Sequence, residues 1–222
     1  MIEALIFDFD GLIMDSETAD YQSWRETYAS FGVELPLDVW MQNIGSVTFF
    51  NPYTYLEEVV GRPLDCEAVH AARKKRDHEL IAQQMVLPGV EAYLEEARAL
   101  GLKLGIASSS RHPWVEGQLV RLGLNGRFDT ICCRDDVDNR AKPDPAVYLE
   151  AVARLEVQPR QALALEDSPN GAAAAKAAGL WCVAVPNNMT RSLPFPAIDG
   201  RLASLADMPL KQLLTEVLNG RA

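Results

Sequence analysis

The sequence predicts an α/β fold, a doubly wound parallel sheet with a helical domain inserted after its first strand. Three observations carry this. Short apolar runs (IEALIF, LKLGIA, FDTICC, ALAL, WCVAVP) read as strands buried on both faces. In the second half of the chain they alternate with amphipathic stretches of helical period, the pattern of a parallel sheet covered on both sides. Between the first run and the second, by contrast, almost every segment reads helical.

In chain order, residues 2–8 (IEALIFD) form the first strand, and Gly11 permits a turn after it. Helices follow in ETADYQSWRETYASF, LPLDVWMQNI, PYTYLEEVV and DCEAVHAARKKRDHELIAQQM, with breaks at Gly32, Gly45 and the pair Gly61 and Pro63. An insertion of about seventy residues is too large for a loop and suits a small domain. The expected division is a helical cap over 16–85 and a core made of 1–15 and 86–222. LPGVEAYLEEARALG is a helix with Pro88 in its first turn, apolar residues at 90, 93, 94, 97 and 100, and Gly101 as its stop. LKLGIA then leads to a helix in PWVEGQLVRLG, FDTICC to one in PAVYLEAVARL, and ALAL to one in NGAAAAKAAG. WCVAVP is the last clear strand, and SLADMPLKQLLTEVLNG closes with a helix.

Composition narrows the function. The chain has 222 residues, 48% hydrophobic and 23% charged, which is ordinary for a globular protein. Its net charge of −10 argues against nucleic acid and anionic membrane as partners, since both need clustered Lys and Arg. The start of the chain shows no basic, apolar leader and no membrane-length apolar stretch, so a cytoplasmic location is expected. Cys66, Cys132, Cys133 and Cys182 lack metal-ligand spacing and read as buried, reduced thiols. His70, His78 and His112 read as surface residues.

Four acids stand out: Asp8 and Asp10 in DFDG after the first strand, and Glu166 and Asp167 after ALAL. In an open parallel sheet, strand ends converge on one crevice. Carboxylates crowded there cannot all stay ionised without a cation, and an all-oxygen set favours a hard ion such as Mg²⁺. One carboxylate can attack phosphorus while another handles the proton of the leaving oxygen. Ser108, Ser109 and Ser110 lie between LKLGIA and the next helix, where they either bind an anion or cap the helix. Lys142 precedes Pro143 and so stands on extended chain, at the mouth of the same sheet, placed to neutralise a phosphoryl oxygen. Asp144 and Ser168 are N-cap candidates, while Asp135, Asp136 and Asp138 read as an exposed acidic loop. Arg73, Lys74, Lys75 and Arg76 share one helix, as a solvated face or as a lure for a phosphate.

Taken in order, DFDG, the strand ending at Ser108, Lys142 before proline, and Glu166–Asp167 resemble the four motifs of the haloacid dehalogenase-like hydrolase superfamily. The resemblance spans nearly the whole chain. The insertion resembles the helical cap of the branch containing β-phosphoglucomutase and small phosphosugar phosphatases, and the core is then Rossmann-like. The resemblance implies that Asp8 is the nucleophile, forming an aspartyl phosphate, and that Asp10 is the acid and base. It implies Mg²⁺ held by Asp8, Asp10 through its backbone carbonyl, and Asp167, with Glu166 in or just outside the coordination shell. Ser108, Ser109 and Lys142 would hold the phosphoryl group. The expected activity is phosphatase action on a small phosphorylated metabolite, a sugar or polyol phosphate, by a monomer.

Two alternatives stay open. A sugar phosphomutase would carry a histidine in DSETADYQSW, where this chain has Asp20. A non-catalytic phospho-acceptor or binding module would not need the insertion. Substrate choice is expected from side chains around Gly45 to Asn51 and Arg73 to Arg76.

Overall fold

A computed structural model describes residues 1–41, 51–196 and 198–220. The expected contributions of Gly45 to Phe50 therefore lie outside the described residues. Contacts divide the chain into two compact units, one of Met1–Met14 with Met85–Ala222 and the other of Asp15–Gln84.

The larger unit is built on a six-stranded parallel sheet: β1 (Ala4–Phe7), β2 (Lys103–Ala107), β3 (Thr130–Cys132), β4 (Ala162–Glu166), β5 (Trp181–Ala184) and β6 (Gly200–Arg201). The order is β3-β2-β1-β4-β5-β6, so the chain winds outward from β1 on one side and then on the other. This is a Rossmann-like α/β sheet, and its winding reverses between β1 and β4, where such sheets open a ligand crevice. Every residue of β1 and β4 is buried, as their uninterrupted apolar runs require. Each large apolar side chain so buried contributes about 1.5–3 kcal/mol.

Helices α5 (Val90–Ala99), α6 (His112–Arg121), α7 (Ala146–Arg154), α8 (Pro169–Ala177) and α9 (Leu210–Leu218) belong to this unit. Alternate strand residues Ala4, Ile6, Ala162, Ala164 and Cys182 pack under α7 and α8, and the alanines of α8 allow close approach to the sheet. On α5, Val90, Tyr93, Leu94 and Ala97 are buried as the periodicity predicts, but Leu100 is exposed and Pro88 lies ahead of the helix, whose N-cap is Gly89. Strand β6 has only two residues, too short for an apolar pattern to announce it.

The smaller unit holds α1 (Ser16–Ser30), α2 (Leu37–Trp40), α3 (Pro52–Val60) and α4 (Cys66–Gln83), with α1 packed on α4. Its centre is aromatic: Trp24 meets Tyr53 edge-on at 4.8 Å, and the buried Tyr28 hydroxyl donates to the Pro52 carbonyl. Asn51 caps α3 by accepting from the amides of Tyr53 and Thr54. Of the predicted basic face, Arg73 pairs with Asp20 and Ser23 and lies over the Trp24 ring, and Arg76 pairs with Glu26 and Glu79. Among the described residues no helix is long and apolar enough to cross a membrane.

Candidate active site

Register places the site. Phe7 pairs with Ile106 on one side and Leu165 on the other, so Asp8 leaves β1 level with the ends of β2 and β4. The Asp8 amide extends the ladder to the Leu165 carbonyl, and Phe9 turns fully into the core. Asp8 and Asp10, two residues apart, are thereby held away from Phe9. Gly11 closes the turn at φ 86°, and a Cβ there would fall 2.1 Å from Asp167 Oδ2. Only glycine lets the first strand's turn approach the Asp167 carboxylate.

Lys142 lies at the centre, buried, its Nζ donating to Asp8 Oδ1 and to Glu166 Oε1, each at 2.6 Å. Its amide donates to Ser109 Oγ at 3.1 Å. The Tyr148 hydroxyl, reaching from α7, also donates to Glu166 Oε1, and its ring centre is 5.0 Å from the ammonium. Burial acts to lower the Lys142 pKa, but the facing Asp8 and Glu166 carboxylates outweigh it and hold the pKa up, so the ammonium stays charged. Burial, with Glu166 adding and Lys142 opposing, pushes Asp8 up to about 7. Glu166 is folded under α8: a Cβ on Gly171 would fall 1.9 Å from Glu166 Oε2.

Asp167 Oδ2 accepts from Asn187 Nδ2 at 2.8 Å, and that nitrogen also reaches the Gly11 carbonyl at 3.3 Å. Asn187 is itself fixed, its Oδ1 accepting from the amides of Met189 and Thr190. Asp8, Glu166 and Asp167 each offer an oxygen within 4.8 Å of the others, and all three are buried. Three buried carboxyl groups against one ammonium leave the volume short of positive charge. The oxygen-only donor set fits a hard divalent cation such as Mg²⁺.

Asp10 is held from the segment after β2. Ser110 Oγ donates to its Oδ2 at 2.6 Å and Trp114 Nε1 to its Oδ1 at 2.9 Å. Ser108, buried, accepts from the Ser110 amide through its Oγ. The serines do not cap α6, whose N-cap is Arg111. Their hydroxyls point into this network instead.

A profile described as "Haloacid dehalogenase-like hydrolase" matches residues 5–185. The chain belongs to the haloacid dehalogenase-like hydrolases. Among relatives within reach by sequence, "Putative phosphatase YhcW" of Bacillus subtilis is 48% identical, with 96% of this chain and 97% of that protein covered. Hexitol phosphatase B of Escherichia coli is 31% identical, covering 96% and 97%. Among solved structures, CbbY from Rhodobacter sphaeroides in complex with phosphate superposes with a TM-score of 0.73 at 30% identity, covering 93% of this chain and 96% of that one.

Within this family member the structure draws Asp8, Asp10, Ser108, Ser109, Lys142, Glu166 and Asp167 to the ends of β1, β2 and β4 and their following loops. Sequence reasoning missed Tyr148, Trp114 and Asn187 as partners of these residues. A tyrosine buried in an amphipathic helix needs a hydrogen-bond partner, which was the available signal for Tyr148. Three expectations of burial or exposure are corrected. Cys66 is exposed, because it opens α4, whereas Cys132, Cys133 and Cys182 are buried. His112 is half-buried between Glu116 and Asp136, because α6 starts beside the loop after β3. Asp136 belongs to that network, pairing also with Arg154 and the Cys133 amide, rather than to a solvated run. Of the N-caps, Ser168 accepts from the Gly171 amide, while Asp144 accepts from Ala146 although Pro145 occupies the cap position of α7.

Proposed function

We propose that this chain is a magnesium-dependent phosphatase of small phosphorylated metabolites, sugar or polyol phosphates, working through an aspartyl phosphate on Asp8. The observation that carries this reading is the buried Lys142 ammonium bridging Asp8 and Glu166 at the end of β1, with Asp10 two residues on. In the first step an Asp8 oxygen bonds to phosphorus as the bond from phosphorus to the leaving oxygen breaks, and that oxygen takes a proton from Asp10 to depart as alcohol. In the second, water attacks phosphorus, its proton passes to Asp10, the acyl phosphate bond breaks, and inorganic phosphate leaves with the Asp8 carboxylate restored. Lys142 balances charge on Asp8 and on the transferring oxygens, while Ser108 and the Ser109 amide hold the phosphoryl group.

Asp8, Asp167 and the Asp10 carbonyl would hold Mg²⁺, with Glu166 in or just outside the shell, its Oε1 engaged by Lys142 and Tyr148 and its Oε2 by the Ser168 hydroxyl. When bound, the ion supplies positive charge for the phosphoryl oxygens and the attacking carboxylate. The residues 15–84 act in this reading as the substrate-selecting cap. Relatives named for hexitol phosphates and phosphorylated carbohydrates support the substrate class.

The test is phosphate release from a panel of sugar, polyol and nucleoside monophosphates with and without Mg²⁺, with glucose 6-phosphate formation from β-glucose 1-phosphate followed in parallel. Metal-dependent release is expected, and Asp8→Asn should abolish it while leaving the circular dichroism spectrum unchanged. Isomerisation without release would make the protein a mutase; near-normal turnover by Asp8→Asn would remove Asp8 as nucleophile.

A further inference from the structure

We propose that Trp114, together with Ser110, is a positioning residue that aims the Asp10 carboxyl at the leaving oxygen; this rests on the acid–base role given to Asp10 above. Two donors grip the two oxygens separately, the Trp114 indole N–H on Oδ1 at 2.9 Å and the Ser110 hydroxyl on Oδ2 at 2.6 Å. One such bond would leave the carboxyl free to rotate about its last torsion, whereas two fix its plane. An indole N–H can only donate, so its grip on Oδ1 is directional and cannot be reversed by turning a hydroxyl.

Both donors are themselves anchored. Val115, fully buried, fastens the first turn of α6, and the Trp114 and Val115 amides close on the Arg111 carbonyl. Ser110 is tied through its amide to Ser108 Oγ, the hydroxyl assigned to the phosphoryl group. A single segment, 108–114, thus fixes the proposed phosphate site and the proposed acid to each other. Proton delivery in the same event as phosphoryl transfer depends on that mutual placement. Trp114 is not needed to fill the core: its ring is only half-buried while its polar edge is committed to Asp10.

The test separates aiming a proton from holding the fold. The value of kcat/KM reports steps up to loss of the leaving group. A sugar or polyol leaves as a strongly basic alkoxide and needs the proton, whereas p-nitrophenolate leaves without one. For Trp114→Phe and for Ser110→Ala, the ratio of kcat/KM on the best alkyl phosphate to that on p-nitrophenyl phosphate should fall by about tenfold or more, with thermal unfolding unchanged. A ratio equal to wild type in both variants overturns the proposal, whether activity is retained or both substrates suffer alike. Asp10→Asn is measured beside them. If its ratio collapses while theirs does not, the positioning role fails alone; if its ratio also stays at the wild-type value, the acid role of Asp10 fails first.

Discussion

Lys142 is a single ammonium between two carboxylates, buried with them, and its removal leaves their charges uncompensated. Breaking a buried ion pair from one side costs about 3 kcal/mol or more. Lys142→Met should therefore lower the thermal midpoint by roughly 6–12 °C for a chain of this size, besides abolishing turnover. A midpoint within a degree of wild type would show that the two carboxyl groups share a proton instead. The place of Lys142 at the mouth of the sheet was legible from the order of the strands, although a lone lysine is more often a solvated surface charge. Tyr148 and Trp114 were not legible. Their partners lie 18 and 104 residues away, and only register and helix rotation bring them together.

At the scale of elements, the starts of two helices carry distinct consequences. Gly171, in the first turn of α8, has Glu166 packed where a Cβ would be. Gly171→Ala should cost about 2 kcal/mol by overpacking and turn Glu166 away from Lys142, seen as a lower midpoint and reduced turnover together. At the start of α6, burial alone would lower the His112 pKa, but its bonds to Asp136 and Glu116 outweigh this and raise it above the ordinary value. A raised folded-state pKa stabilises fully below the unfolded value and is lost as pH rises through the folded one. The midpoint difference between wild type and His112→Gln should be largest below the ordinary histidine pKa of about 6.5 and shrink as pH rises above it. A difference that grows with pH would reverse the sign assigned to the pair. Neither feature could be read from composition: the acidic loop after β3 looks solvated until the strand order brings α6 beside it.

The whole molecule explains why so much of the architecture was visible beforehand. The central strands β1 and β4 are buried throughout, so their apolar runs stand out between helical periods, and alternation of strand and helix is the pattern of a sheet wound on both sides of β1. The long helical insertion stood out for the opposite reason, having no strand pattern at all. What did not show was the cross-links between distant segments, such as Asn187 binding both Gly11 and Asp167. The proposed metal site would join residues distant in the core's sequence, Asp8 and Asp167, so occupancy should stabilise the folded chain. Mg²⁺ at about 100 times its dissociation constant should add roughly 2.7 kcal/mol, read as a higher thermal midpoint in wild type and no rise in Asp167→Asn. Excess chelator should remove both the shift and the activity.

Burial pushes the thiols of Cys132 and Cys133 up to about 11 and about 12, and that of Cys182 higher still, whereas Cys66 stands in solvent at the start of α4. Nature has thereby supplied one addressable attachment point among four thiols. Native protein should take up a single maleimide and denatured protein four. A dye placed on Cys66 of the unaltered chain would sit within residues 15–84, so that any change in their surroundings during turnover could be followed without engineering a cysteine.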